Sequence, residues 1–257
     1  MATSGTNGRK RVEAVVKTLD VLEALWQAEG AGVTELADRT DLAKSTVHTH
    51  LMTLHSKGYV VQDEEEYRLS LRFLSFGEHV KHAEPLYEAS DGPITELSEE
   101  TGERVLCSTH QNGLGAIINV RKGTRSFTSD IGIGTHTYLH NSAGGKAMLA
   151  HFSKQRVDEI IEDWGLPAFT EETITDRATL HDELEAIRDD GVAYSTGEYL
   201  PGISAIGVPI LDTDGTVYGA VTVAGPEHRL ENEWEENNLR NQLLSTANTI
   251  EVNIMFS

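Results

Sequence analysis

At 257 residues the chain has room for one large domain or two smaller ones. Its single cysteine, Cys107, excludes an internal disulfide and a cysteine-built metal cage, and no apolar run approaches the ~20 residues that span a bilayer. The formal net charge of -20 weighs against a nucleic-acid partner at first sight, yet residues 1–60 hold 7 Lys+Arg and 7 Asp+Glu, so the acidic excess lies in the remainder.

Residues 1–11 are polar with a small basic cluster, Arg9, Lys10 and Arg11, and lack the apolar stretch of a secretory signal, which points to the cytoplasm. The acidic remainder has two readings: a protein that repels nucleic acid, or a surface suited to a salt-rich cytoplasm with the DNA-facing part spared. Asp and Glu are spread over the exposed segments rather than gathered in one tail, which favours the second. At 1 M salt the Debye length falls to ~3 Å and self-repulsion is screened.

In chain order, residues 12–28 place Val12, Val15, Val16, Leu19, Leu22 and Leu25 at helical spacing, which predicts an amphipathic helix ended by Gly30 and Gly32. Thr34 is placed to cap a second helix over 34–40, with Leu36 and Ala37 inward. After a turn at 41–43, a third helix opens at Lys44 and runs toward Lys57; Val47, Leu51 and Leu54 share one face and Gly58 closes it. Residues 59–61 and 67–69 read as short strands around the acidic turn 63–66. Residues 70–82 read as a connecting helix that offers Leu71, Leu74 and Phe76 for packing, and a second domain starts near Pro85. In that domain 86–101 reads as a helix, and 104–110 and 114–120 as strands joined by an Asn112-Gly113 hairpin turn. Residues 142–152, 154–164, 176–190 and 231–254 read as further helices.

A helix, a tight turn, a second helix and a hairpin make a winged helix-turn-helix. One of its helices must enter a major groove ~12 Å wide with short, polar, exposed residues at its start. Lys44, Ser45, Thr46, His48, Thr49 and His50 meet that need. Ser45 and Thr46 also suit phosphate, although Ser45 fits equally as a plain helix cap. Glu64, Glu65 and Glu66 keep the wing tip off phosphate, and Arg9, Lys10 and Arg11 read either as a basic arm on the DNA backbone or as a solvated tail.

These residues bring a family into view. Leu36-Ala37, Lys44-Ser45-Thr46-Val47-His48, Leu51, Leu54, Gly58-Tyr59-Val60 and Tyr67-Arg68-Leu69 resemble the N-terminal domain of the IclR family of bacterial and archaeal transcription regulators. Glu100-Thr101-Gly102-Glu103, His140-Asn141-Ser142-Ala143-Gly144-Gly145-Lys146-Ala147, Gly197-Glu198-Tyr199, Pro201-Gly202 and Val208-Pro209-Ile210 resemble its effector domain. The resemblance implies an α+β chain: a winged helix-turn-helix at 1–69, a linker helix at 70–84, and at 85–257 a GAF-like effector domain with an antiparallel sheet. It implies a double-stranded operator, a homodimer or dimer of dimers, control by a small metabolite, and with the acidic surface a salt-adapted archaeal host. The family's effector residues fall on Ala143, Gly144, Ser195, Ala205, Thr222 and Ala224. Thr49 stands where the family often has arginine, and a carboxylate and a thiol known at the Ser195 and Ala205 positions are absent, so neither operator nor effector carries over.

The residues point to a pocket independently. Residues 203–211 and 216–224 read as strands in which Ile206, Val208, Ile210, Val217, Val221 and Val223 form a bulky face. Ala205, Gly207, Ala220, Thr222 and Ala224 form a small face, which leaves room for a ligand or for a closely packed helix. Exposed N–H groups at 142–146 suit an anionic end of a ligand, though Gly144-Gly145 fits equally as a tight turn. For Lys146 a surface charge is favoured over a ligand contact. No clustered negative charge awaits a cation, so the expected effector is a small neutral or carboxylated metabolite, such as a sugar-derived acid. No G-x-S-x-G, H-E-x-x-H or P-loop pattern supports an enzyme, and His48 with His50 or His136 with His140 lack a completing ligand for a metal. No cofactor and no membrane partner are expected.

Overall fold

The computed structural model describes residues 11–230 and 238–256. The chain divides into two compact units, one ending at Ala83 and the other beginning at Glu84.

The first unit contains α1 (Glu13–Ala28), α2 (Val33–Thr40), α3 (Lys44–Ser56), a hairpin of β1 (Val60–Asp63) and β2 (Glu66–Leu69), and α4 (Arg72–His82). Its core joins Val21 and Leu25 of α1 to Leu36, Val47, Leu51, Val60 and Tyr67. The apolar stripe predicted for α1 is only partly used. Burial falls on Val21, Ala24 and Leu25 in its C-terminal half, while Val12, Val15 and Leu19 are 67%, 54% and 52% exposed. Thr34 caps nothing: Gly32, in extended conformation, precedes a helix that starts at Val33. α4 buries no residue, and Leu71, Leu74 and Val80 point to solvent.

The second unit opens with α5 (Pro85–Thr101) and continues through β3 (Arg104–Gln111), β4 (Leu114–Lys122), β5 (His136–Tyr138), α6 (Ala143–Leu149), α7 (Lys154–Trp164), α8 (Arg177–Asp190), β6 (Ala193–Thr196), β7 (Ile203–Leu211), β8 (Val217–Pro226) and α9 (Leu239–Met255). The strands form one antiparallel sheet in the order β5-β4-β3-β8-β7-β6. The β3–β4 turn is the anticipated one: Asn112 and Gly113 have φ of 53° and 83°, the left-handed pair that a two-residue type I′ turn requires. β5 and β6 were not anticipated, being too short to show alternation. Of the predicted final helix, residues 231–237 lie outside the described residues.

One sheet face carries Val105, Cys107, Ile206, Val208, Ile210, Val221 and Val223 against α5 and α9. The bulky-face prediction holds there except at Val217. A register shift pairs Leu211 with Val217 and skips Tyr218, so Val217 joins Ala220 in the cluster with α6, α7 and α8 on the opposite face.

Candidate functional site

Two surfaces answer to the residues singled out in the sequence. The first is α3. Its inward side chains, Val47, Leu51 and Leu54, are buried in the first unit's core. Lys44, Ser45, His48 and Thr49 are exposed, as are Met52 and Thr53, whose spacing continues the same face through the next turn. Met52 and Thr53 were missed in the sequence reading, although carrying the helical period beyond residue 50 would have reached them. Thr46 is half-buried.

His50 departs from its assigned place. It is half-buried, and its Nδ1 lies 2.8 Å from Thr18 Oγ1 of α1. The Thr18 hydroxyl already donates to Ala14 O at 2.7 Å, so His50 is the donor, and its ring braces α3 against α1. The wing turns through Glu64 at φ 53°, and Arg68 is ion-paired to Asp63 at 3.0 Å. Arg11 is exposed; Arg9 and Lys10 lie outside the described residues.

The second surface is a cleft of ≈ 790 Å³, measured out to its open mouth, in the second unit. Ala143, Gly144, Ser195, Ala205, Thr222 and Ala224 all line it, although they come from α6, β6, β7 and β8. Sheet register brings them together. Ser195 pairs with Ala205, Ala205 with Ala224, and Ala224 with Arg104 of β3, which makes one cross-strand row. The neighbouring row runs Gly207, Thr222, Leu106. Paired residues project to the same side, so each row is a strip of one face.

The small face is divided between the two readings that the sequence left open. A methyl group on Gly207 would come within 2.8 Å of Ala143 C and Gly144 N, and one on Gly144 within 2.6 Å of Thr222 Oγ1. The start of α6 therefore rests directly on the Gly207 row, while Ala220 is packed in the cluster with α6 to α8. Gly207 and Ala220 leave no volume for a ligand, contrary to expectation. Ala205 and Ala224 do, in a cleft also lined by Leu106, Ile117, Phe127, Ile131, Tyr199 and Ile203. Most of the lining is apolar, with Arg104, Ser108, Ser195 and Thr222 among its polar members.

The loop before α6 is also partly used up. Ser142 Oγ accepts from Gly145 N at 3.2 Å, and Ser142 O accepts from Lys146 N at 2.8 Å. Lys146 is not a surface charge. It is 1% exposed, with Nζ 2.9 Å from Glu183 Oε1 and 2.7 Å from Glu198 Oε1. Burial raises the Glu198 carboxyl above its ordinary range, and Lys146 opposes that rise. Ser195, which lines the cleft, also opposes the rise, though less than Lys146 does.

Arg104 was not anticipated at all. It lines the cleft and is 1% exposed. Nη2 donates to Ile131 O, the guanidinium carbon lies 6.0 Å from the centre of the Phe127 ring, and buried Nε and Nη1 have no partner. Burial alone lowers its pKa, without a compensating acid. Among the described residues, no group of three or more His, Cys, Asp or Glu is placed to hold a metal, and no helix is long and apolar enough to cross a membrane.

Residues 14–64 match the IclR helix-turn-helix domain, and residues 78–252 match the bacterial transcriptional regulator IclR C-terminal domain. The "Probable HTH-type transcriptional regulator ArcR" of Halobacterium salinarum is 28% identical over 256 residues, covering 98% of this chain and 97% of that protein. The crystal structure of the Thermotoga maritima IclR superposes with a TM-score of 0.79 at 24% identity, covering 95% of this chain and 99% of the other. An IclR homolog from Microbacterium hydrocarbonoxydans, complexed with 4-hydroxybenzoate, shares the fold with a TM-score of 0.80 at 18% identity, covering 95% of this chain and all 100% of the other. With both units matched in order, the chain belongs to the IclR family: it is a DNA-binding transcription regulator with a C-terminal effector domain, and not an enzyme.

Proposed function

We propose that this regulator works in the cytoplasm as a homodimer or dimer of dimers, reads a pseudo-palindromic double-stranded operator with α3, and responds to a small neutral or carboxylated metabolite in the cleft of its effector unit. The observation that carries the reading is the convergence of six residues from four separate elements on one cavity. The neighbour complexed with 4-hydroxybenzoate supports an organic molecule of that size.

The reading face is Lys44, Ser45, His48, Thr49 and Met52, with Arg9, Lys10 and Arg11 as an arm on phosphate. Met52 adds an apolar group suited to a thymine methyl. The exposed apolar side chains at α1 (Val15 and Leu19, with Val12 just before it) and at α4 (Leu74 and Val80, with Leu71 just before it) support burial against a second copy. Two copies also double a DNA site that one helix leaves too short for genomic selectivity. Ser45→Ala with His48→Ala is expected to weaken specific binding by roughly 1–3 kcal/mol per lost contact while the fold persists. Footprinting of the wild type is expected to show two related half-sites. Wild-type affinity in the double variant, or a single protected half-site, contradicts the assignment.

For the effector, Ala205→Leu and Ala224→Leu each place three extra carbons in the open part of the row. Overpacking of this kind costs roughly 1–3 kcal/mol and fills the space a ligand needs. Both variants are expected to bind operator and to ignore an inducer identified by mass spectrometry of co-purifying small molecules. A ligand shifts the DNA-binding equilibrium only through its differential affinity for the two states, so loss of binding is loss of response. Response of both variants at wild-type inducer concentrations would place the effector elsewhere.

A further inference from the structure

We propose that Arg104 is the anion-binding group of the effector cleft, so that the effector is an apolar-bodied carboxylate whose carboxylate sits on the unpartnered donors of that guanidinium. This rests on the cleft being the effector site and narrows the ligand to one class.

A guanidinium presents five donors in a fixed fork and keeps its proton in proteins. Here Nη2 donates to Ile131 O and the Phe127 ring lies 6.0 Å from the guanidinium carbon, while Nε and Nη1 are buried with nothing to bond. An isolated buried cation is among the most unfavourable groups a fold can hold, because desolvation is not repaid by a partner. The described residues provide no such partner: burial is the sole influence on Arg104, and no carboxylate adds to it. The nearby Lys146 shows how the same fold treats a cation with a structural job, giving it two carboxylates within 2.9 Å. A carboxylate oxygen on either unpartnered N–H of Arg104 makes a charge-assisted hydrogen bond and supplies the missing counter-charge.

The row that Arg104 shares supports the shape of the ligand. Ser195, Ala205, Ala224 and Arg104 pair directly across four strands. With neighbouring strands about 4.8 Å apart, the row is on the order of 14 Å long from backbone to backbone. Its middle is two alanines, and Leu106, Ile117, Phe127 and Ile131 line the same cleft, which suits a flat or chain-like apolar body. At the far end the Ser195 hydroxyl lines the cleft and can donate to or accept from a polar group on the ligand.

The test is calorimetric titration of the full-length protein with matched acid and amide pairs: benzoate and benzamide, 4-hydroxybenzoate and 4-hydroxybenzamide, phenylacetate and phenylacetamide, hexanoate and hexanamide. At least one acid is expected to bind the wild type, with its amide at least about tenfold weaker, as loss of a charge-assisted pair implies. Arg104→Met is expected to weaken the acid by about tenfold to a hundredfold and leave the amide unchanged, and Arg104→Lys is expected to retain part of the affinity. Should Arg104→Met fail to fold, the acid–amide difference and an acid-induced shift of the Arg104 Nε resonance in the wild type decide the matter. Equal binding of acids and amides, wild-type acid affinity in Arg104→Met, or no acid binding at all overturns the proposal. Ala224→Leu separates it from the reading it rests on. Acids that bind Ala224→Leu as they bind the wild type remove the cleft as the effector site. Acids blocked by Ala224→Leu but indifferent to Arg104→Met leave the cleft in place and remove Arg104.

Discussion

Lys146→Met is expected to lower the stability of the effector unit by about 3–5 kcal/mol at neutral pH, because it strips a buried carboxylate of its counter-charge. Glu198 is 6% exposed, with one oxygen on Lys146 and Oε2 already without a partner. Glu183 is the lesser problem, since its side chain is 36% exposed. The cost depends on pH, with a definite sign. Burial raises the Glu198 carboxyl, and removing Lys146 removes the strongest opposing influence. Below the ordinary carboxylate range Glu198 is protonated in both folded and unfolded chains, and the penalty vanishes. It grows as pH rises through the interval between the unfolded and the raised folded value, and above that interval it is complete. Denaturant unfolding at pH 4 and pH 7.5 is therefore expected to show a small and a large difference from wild type. Adding Glu198→Gln is expected to recover most of the loss at pH 7.5. A loss under about 1 kcal/mol at pH 7.5, or a larger one at pH 4, contradicts the ion-pair account.

The second large effect is expected in the other unit. Leu51→Ala removes a side chain with no solvent exposure from the face that seats α3 in its core, and a cavity of this kind costs about 2–5 kcal/mol. Against the 5–15 kcal/mol typical of a domain, that is a large fraction. α3 carries the proposed DNA-reading face on its outer side, so a loosened seat misplaces every proposed reading side chain together. Specific operator affinity is expected to fall further than in the Ser45 and His48 double variant, although Leu51 cannot reach DNA. Because the two units have separate cores, Leu51→Ala is expected to lower the unfolding transition of the first unit and Lys146→Met that of the second. Hydrogen exchange mapped along the chain checks the assignment. Protection lost in both units from either substitution would contradict it.

Features carried by local pattern were legible in the sequence. The 3.6 period of Val47, Leu51 and Leu54 fixes which side of α3 faces inward, and so which side is left for DNA. Asn112-Gly113 fixes a two-residue hairpin because few other pairs adopt two successive left-handed conformations. The alternation of Ala205, Thr222 and Ala224 against Ile206, Val221 and Val223 predicts a sheet with one roomy face. Each of these depends on residues close in the chain, where a fixed rise and turn convert spacing into direction.

What the sequence left undecided depends on which distant segments meet. How much of the small face a helix covers is decided by α6, which lies on Gly207 but leaves Ala205 and Ala224 open. His50 looks like a reading residue until Thr18, 32 positions earlier, accepts its N–H. Lys146 looks like a surface charge until Glu183 and Glu198 close on it from α8 and from the loop after β6. Arg104 carried no signal at all: it is the first residue of an ordinary strand, and it enters the site only because β8 pairs with β3 and sets it opposite Ala224. Strand order and register are set by the packing of the whole sheet against its helices. Side-chain periodicity tells which way a residue points from its own strand, but not which residue stands across from it.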